Sequence, residues 1–257
     1  MKSRRTRTFQ ALILALLGFF LLERVWSGKI LLYINQRFVI LVVLAGIGLI
    51  AVAQAVFVER RKQEGMEETG EPESVDAGHE HLETHRHGTN ASLIWLLVPL
   101  AFGLLIPARA LGTSTLANRG IQVTAPFQVQ NSTGITALET PARNRTVLDW
   151  IRAFHTAGDP WTLANEPADV IGFVYHDPRL RLDQFLLGRY TVACCIADAA
   201  AIGITVDWDP AATLENNTWV RVKGVIQVGQ LEGQNVPVIR ASQVMPIQEP
   251  DQPYLFP

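Results

Sequence analysis

Cys194 and Cys195 are the only cysteines in this chain of 257 residues, and Asp198 follows closely in the sequence. Thiolates are soft metal ligands and a carboxylate is a hard one, so this spacing predicts a site for a divalent metal such as zinc. The stretch 190–196 is rich in β-branched and apolar residues, which predicts a β-strand. Consecutive side chains of a strand point to opposite faces, so we expect one thiol to face a core and the other to face solvent.

Two other interpretations of the cysteine pair remain open. Free cysteine is among the most buried residue types, so both can be ordinary core residues. An exposed thiol of low pKa would instead form mixed disulfides with a partner, and Arg179 or Arg189 could lower that pKa if they lie close. His176 and Asp177 are further candidate ligands of the metal site, and the alternative for them is an ordinary turn after a strand.

A second group of candidate metal ligands lies in the polar segment 59–90. This segment is rich in charge and poor in large apolar residues, so we expect a disordered linker. Neutral imidazole binds zinc, copper and nickel, which predicts a loop that wraps a divalent ion; the alternative is a solvated spacer. The segment contains four of the six histidines of the chain: His79, His81, His85 and His87.

The composition predicts a membrane protein with a separate soluble part. Hydrophobic residues make up 48% of the chain and charged residues 18%, against roughly 25% charged in soluble proteins. The apolar excess precedes residue 111, where three segments approach the length of a membrane span: 9–22, 38–58 and 91–107. The first could instead be a secretory signal, although no small-residue cleavage site follows it. The net charge of −2 disfavours nucleic-acid binding.

Lysine and arginine are concentrated before the first span and after the second. The positive-inside rule therefore places the N-terminus and the His-rich linker in the cytoplasm and the C-terminal domain outside it, in a multi-pass protein of the cell membrane. The predicted boundaries are 1–58 for a membrane region of two spans, 59–90 for the linker, 91–111 for the third span and 112–257 for the soluble domain.

The soluble domain has the pattern of a β protein with one short helix. Apolar residues at helical spacing predict an amphipathic helix over 145–154; they are Val147, Leu148, Ile151 and Phe154. Five strands are predicted at 170–175, 190–196, 202–208, 219–228 and 236–247. The predicted fold is therefore a membrane α-helical region of about three transmembrane helices followed by a small all-β, OB-like barrel domain with a short helix.

The sequence favours binding and docking over catalysis. It has no nucleophile–base–acid trio, no phosphate-cradling glycine loop and no His-Glu-x-x-His motif, so we do not expect an enzyme. The predicted spans contain few polar groups, which argues against a channel or carrier formed by this chain alone. OB-like barrels bind oligonucleotides or oligosaccharides, so an extracytoplasmic ligand-binding module is a further alternative.

Four short elements in the C-terminal half resemble the YcgQ-like family of two-component membrane permease subunits. They lie at 172–175 (Gly-Phe-Val-Tyr), 189–190 (Arg-Tyr), 194–199 (Cys-Cys-Ile-Ala-Asp-Ala) and 253–254 (Pro-Tyr). The resemblance implies a hydrophobic N-terminal region, a C-terminal domain and an accessory role beside a separate polytopic permease. It also implies a link to divalent metal, with zinc as the candidate.

Overall fold

The computed structural model describes residues 2–68, 98, 101–116, 120–123 and 139–256. The chain divides into two compact units. One unit comprises Met1–Leu31 and Gln36–Ala108, and the other comprises Leu32–Asn35 and Arg109–Pro257. A short segment from the N-terminal third of the sequence, Leu32–Asn35, is therefore part of the C-terminal unit.

The first unit contains two long apolar helices, α1 (Lys2–Trp26) and α2 (Val39–Glu68). Their stretches Thr8–Trp26 and Gln36–Glu59 are long and apolar enough to cross a membrane. These helices confirm the first two hydrophobic helices expected from the sequence. The third predicted span, 91–111, lies partly outside the described residues, and the total of three spans stays a prediction.

Small residues allow α1 and α2 to pack closely. A Cβ atom at Gly18 would lie 2.7 Å from the carbonyl oxygen of Gly46, and one at Gly46 would lie 3.1 Å from the Leu22 side chain. Glycine is needed here because any larger side chain would push the two backbones apart. Only 17% of the α1 stretch and 11% of the α2 stretch is buried, so both helices expose a large apolar surface.

The second unit is built around a six-stranded sheet. Its strands are β1 (Pro167–Tyr175), β2 (Gln184–Thr191), β3 (Ala200–Asp207), β4 (Trp219–Leu231), β5 (Gln234–Pro246) and β6 (Tyr254–Leu255). They are ordered β1-β4-β5-β3-β2-β6, and β1 also pairs with β2. The β3–β5 and β2–β6 pairs are parallel, and the other pairs are antiparallel. A C-terminal β domain is thus confirmed, whereas its description as an OB-like barrel stays a prediction.

The second strand is misplaced in the sequence prediction. The expected strand 190–196 is wrong, because β2 begins at Gln184 and ends at Thr191. Nearly all side chains of β2 are buried, on both faces, so its sequence lacks the alternation that marks a half-buried strand. The cysteine pair consequently lies in the loop between β2 and β3.

One helix, α3 (Val147–Thr156), precedes the sheet and confirms the predicted amphipathic helix. Thr146 caps it: its hydroxyl accepts a hydrogen bond from the Asp149 N–H, and the Asp149 carboxylate accepts one from the Thr146 N–H. The apolar face of α3 is buried in the main core against the sheet. Its buried members are Val147, Leu148, Trp150, Ile151, Ala153 and Phe154.

The Arg-Tyr and Pro-Tyr elements hold the ends of the β domain together. Tyr190 on β2 lies opposite Tyr254 on β6. The Tyr254 hydroxyl accepts a hydrogen bond from the Leu111 N–H at 2.9 Å, and the Tyr190 hydroxyl donates to the Gly112 carbonyl at 3.0 Å. These elements therefore contribute to the packing of the domain.

Candidate functional site

The cysteine loop, residues 192–199, is organised by one carboxylate. Asp198 accepts hydrogen bonds from the N–H groups of Ala193 at 2.8 Å, Cys194 at 2.7 Å and Cys195 at 3.1 Å. These three N–H groups follow the last residue of β2, so they take no part in the hydrogen bonds between its neighbouring strands. A short side chain three to five residues further on can satisfy them all, and it thereby turns the chain sharply around the cysteine pair.

The two cysteine sulfurs lie on the same side of this loop, with an Sγ–Sγ distance of 3.7 Å. The expectation that they face opposite directions is wrong, because it assumed strand geometry and the pair lies outside β2. Cys194 is exposed and Cys195 is half-buried, and both are free thiols. The interpretation as two core residues is therefore wrong as well.

Cys194, Cys195 and Asp198 form a group suited to a metal ion. One ligand atom from each residue lies within 4.8 Å of the other two. In a tetrahedral zinc site with Zn–S bonds of about 2.3 Å, two thiolates are about 3.8 Å apart, and the sulfurs here are separated by 3.7 Å. Three such ligands would leave the fourth zinc position open to water or to another ligand.

The hydrogen bonds of the loop oppose ionisation of the Cys194 thiol and favour ionisation of Asp198. The hydrogen bond to the Asp198 carboxylate, followed by that to Cys195, raises the pKa of Cys194 to about 11. Partial desolvation opposes ionisation of Asp198, but hydrogen bonds from the Cys194 thiol and from the three backbone N–H groups lower its pKa overall. The raised pKa of Cys194 argues against the redox interpretation at this residue, which requires a thiol of low pKa.

His176 and Asp177 do not belong to this group in the described part of the chain. The His176 Nε2 atom lies 2.7 Å from the Leu214 carbonyl oxygen, and the Asp177 carboxylate pairs with Arg179 at 2.7 Å. The hydrogen bond from Arg179 lowers the pKa of Asp177. Both residues thus have protein partners of their own in the loop after β1.

The other residues that the sequence suggested for this site are the linker histidines and two arginines, Arg179 and Arg189. The histidines of the linker lie outside the described residues, so the structure does not place His79, His81, His85 or His87. Arg189 is buried and donates to the Gln252 carbonyl at 3.1 Å, and burial lowers its pKa to about 10. The hydrogen bonds of both Arg179 and Arg189 therefore go to groups outside the cysteine loop.

The segment Leu32–Asn35, which no sequence pattern indicated, is hydrogen-bonded to the cysteine loop. The Ile196 N–H donates to the Tyr33 carbonyl at 2.8 Å, and the Asn35 N–H donates to the Cys194 carbonyl at 2.9 Å. The Asn35 side-chain amide, 2% exposed, donates to the Ala193 carbonyl at 2.9 Å. No local pattern could reveal these contacts, since their partners lie about 160 residues apart in the sequence.

Replacing Asn35 by Ala should loosen the cysteine loop. The substitution removes a buried hydrogen bond and leaves the Ala193 carbonyl without that donor, a loss of about 1–3 kcal/mol in the free energy of local opening. Hydrogen exchange should show the Ile196 amide exchanging roughly 5–100 times faster. Asn216→Ala is the control, because it removes the side-chain oxygen that accepts a hydrogen bond from the His176 N–H. In this variant the Ile196 amide should exchange at the wild-type rate. Equal protection of the Ile196 amide in Asn35→Ala and in the wild type would contradict the role of Asn35 in stabilising the cysteine loop.

Comparison with known proteins supports the resemblance. Residues 9–122 match the family model described as the DUF1980 N-terminal domain, and residues 149–257 match the DUF1980 C-terminal domain. The UPF0703 protein YcgQ of Bacillus subtilis is 23% identical over 282 aligned positions, which cover 96% of this chain and 99% of that protein.

A second relative comes from Streptococcus mutans and bears the name "Putative two-component membrane permease complex subunit". It is 33% identical over 99 residues, which cover 38% of this chain and only 36% of that protein. The two apolar helices and this name together indicate a membrane protein. Because the two family models follow one another along the sequence and full-length similarity to YcgQ accompanies them, the chain belongs to the DUF1980 family.

Proposed function

We propose that this chain is an accessory subunit of a membrane permease complex, which docks through its helices on a separate polytopic permease and is not an enzyme. The observation that carries the proposal is the large apolar surface left open on α1 and α2. The name of the Streptococcus mutans relative supports the same role. Transport would then be performed by the partner, while this chain contributes its β domain at the membrane surface.

Affinity purification of the tagged full chain from its native membrane in a mild detergent tests this role. We expect a polytopic membrane protein to co-purify in roughly equimolar amount. A tagged, unrelated protein with two membrane helices serves as the control for nonspecific capture. Recovery of the chain without any polytopic partner would count against the proposal.

The cysteine loop gives the subunit a role in handling a divalent metal, zinc being the best fit. Support comes from the Sγ–Sγ distance of 3.7 Å, which suits a tetrahedral ion, and from Asp198, which holds the loop in that form. A site with three protein ligands retains an open position, so an ion can be accepted and released without dismantling the loop. The His-rich segment 59–90 would provide a second, flexible collecting site for the same class of ion.

Zinc titration of the purified full chain tests the site. We expect one zinc ion bound per cysteine loop and an affinity at least about a hundredfold lower in Cys195→Ser, because a ligand is lost. The histidines are replaced by alanine in both proteins so that only the loop is measured. Asp209→Asn, a carboxylate outside the group, should bind zinc as the wild type does. Absence of zinc binding, or unchanged binding in Cys195→Ser, would rule out the site.

The proposed orientation has the N-terminus and the segment 59–90 in the cytoplasm and the β domain outside. Support comes from Leu32–Asn35, which lies between α1 and α2 in the sequence and pairs with the cysteine loop. This segment must be on the same side of the membrane as the β domain. If α1 and α2 both span, Glu59 is on the opposite side.

Labelling of single cysteines in intact cells tests this orientation. In a chain without its native cysteines, an impermeant maleimide should label Ser27→Cys and Ala212→Cys directly, since both positions are exposed. Glu59→Cys, which is also exposed, should react only after the cells are permeabilised. Labelling of Ala212→Cys and Glu59→Cys from the same side would overturn the scheme.

We also propose that the sheet is a closed OB-like barrel. Strand β1 pairs with both β4 and β2, so the strand order β1-β4-β5-β3-β2 closes on β1. This closing pair supports the barrel. Nuclear Overhauser contacts between paired residues Val174 and Leu187 would be expected across the closing ladder. Their absence, with the other ladders intact, would indicate an open sheet.

A further inference from the structure

A cavity of about 410 Å³ lies on the side of the sheet opposite the main core. Ile204 and Val206 of β3 point into that core, and strand side chains alternate, so Thr205 points the other way into the cavity. Paired residues of three neighbouring strands form a row along it: Thr205 on β3, Val238 on β5 and Gln227 on β4. The volume is within the range of small-molecule binding sites.

Two walls enclose this cavity. One is the loop 179–181 after β1, and the other is the end of β4 at 229–231. Arg179 joins the walls, because it pairs with Asp177 at 2.7 Å in its own loop and with Glu232 at 3.3 Å in the β4–β5 turn. The cavity is therefore a built feature of the domain, with its two sides tied together.

Thr205 carries a buried hydroxyl that pairs with no described residue. The residue is 3% exposed, and its Oγ1 atom has no hydrogen-bond partner among the described residues. By contrast, Thr191 on β2 is 1% exposed and donates its hydroxyl to the Ala200 carbonyl at 3.3 Å. A buried hydroxyl without a partner destabilises the fold unless a bound molecule pairs with it.

The charged groups of the cavity already have opposite or polar partners. Arg179 is paired as described, Arg181 pairs with Asp183 at 2.7 Å, and the Asp207 carboxylate accepts a hydrogen bond from the Gln184 amide. A charged ligand would have to compete with these pairs for its own counter-charge. The charge distribution therefore favours an uncharged ligand.

The other groups of the lining suit a molecule with many hydroxyls. Gln227 and Gln230 add neutral amides that both donate and accept hydrogen bonds to the same lining. Leu180, Leu231 and Val236 add aliphatic surface that can cover the C–H face of a sugar ring. We propose that this cavity binds an uncharged, hydroxyl-rich small molecule of the class of neutral mono- and disaccharides. The proposal is independent of the metal site and of the permease partner.

Ligand-observed NMR on the full chain in lipid nanodiscs tests the proposal. Glycosidic detergents are avoided because their head groups belong to the proposed ligand class. The probes are glucose, trehalose and glucuronate. We expect glucose or trehalose to bind with a dissociation constant below about 10 mM. Glucuronate should bind at least about tenfold more weakly, since the described lining offers no unpaired cation for its carboxylate.

Thr205→Val distinguishes a binding role from a structural one. Valine has nearly the same shape and removes only the hydroxyl, so the melting temperature should stay the same or rise while sugar affinity falls about tenfold. Thr191→Val is the matched control: it loses a buried hydrogen bond, so its melting temperature should fall while sugar affinity stays unchanged. The proposal is overturned if neither neutral sugar binds, if glucuronate binds as well as they do, or if Thr205→Val binds like the wild type.

Discussion

Asp198→Asn should make Cys194 about tenfold more reactive toward iodoacetamide at pH 8. The carboxylate is the main cause of the raised pKa of Cys194, about 11 against an ordinary 9.0. Restoring the ordinary value would increase the thiolate fraction at pH 8 roughly ninetyfold, while the lower basicity of the sulfur reduces its nucleophilicity about eightfold. Asparagine keeps an oxygen that can accept backbone hydrogen bonds, so the loop should retain most of its form.

The rates are measured by mass spectrometry on metal-free protein in a Cys195→Ser background, so that a single thiol reacts. The direction of the pH dependence provides a second check. In the Cys195→Ser parent the rate should still be rising between pH 9 and pH 11, whereas after Asp198→Asn it should level off near pH 9 to 10. Asp209→Asn should react as the parent does. Equal rates for the Asp198 variant and the parent would show that the carboxylate does not control the thiol.

Gly224→Ala should destabilise the β domain by about 3 kcal/mol, at the upper end of the range for overpacked sites. Gly224 lies at an irregularity in the pairing of β4 with β5, next to Lys223. A Cβ atom there would be 2.1 Å from the carbonyl oxygen of Arg240, which is backbone and cannot turn aside. One of two adjacent strands must therefore move, and the ladder hydrogen bonds between them would be weakened.

Thermal unfolding followed by tryptophan fluorescence measures this effect, and a fall in the melting temperature of roughly 6–12 °C is expected. Gly158→Ala is the matched control, because a Cβ atom at Gly158 would meet nothing within 4 Å. Its melting temperature should stay within about 2 °C of the wild type. A similarly small change in melting temperature for Gly224→Ala would contradict the close approach of β4 and β5 at this position.

Local patterns were sufficient for several elements of the fold. The helix α3 was predicted from apolar spacing because one of its faces packs on a core and the other faces solvent. Strand β4 was predicted from alternation for the same reason. The start of β2 was missed because a strand buried on both faces has no alternating pattern, so its sequence Phe-Leu-Leu-Gly-Arg-Tyr gives no clear strand signal.

The sequence by itself determined two features of this protein: apolar helices precede a β domain, and two thiols lie within four residues of a carboxylate in the sequence. Both follow from composition and short-range spacing, which are properties of the sequence and do not depend on the tertiary structure. Only the tertiary structure decided that the two sulfurs point the same way, that Asn35 binds the loop from a distant segment, and that Thr205 faces a cavity. Each of these depends on which strands become neighbours, and that choice is made by long-range packing across the whole domain.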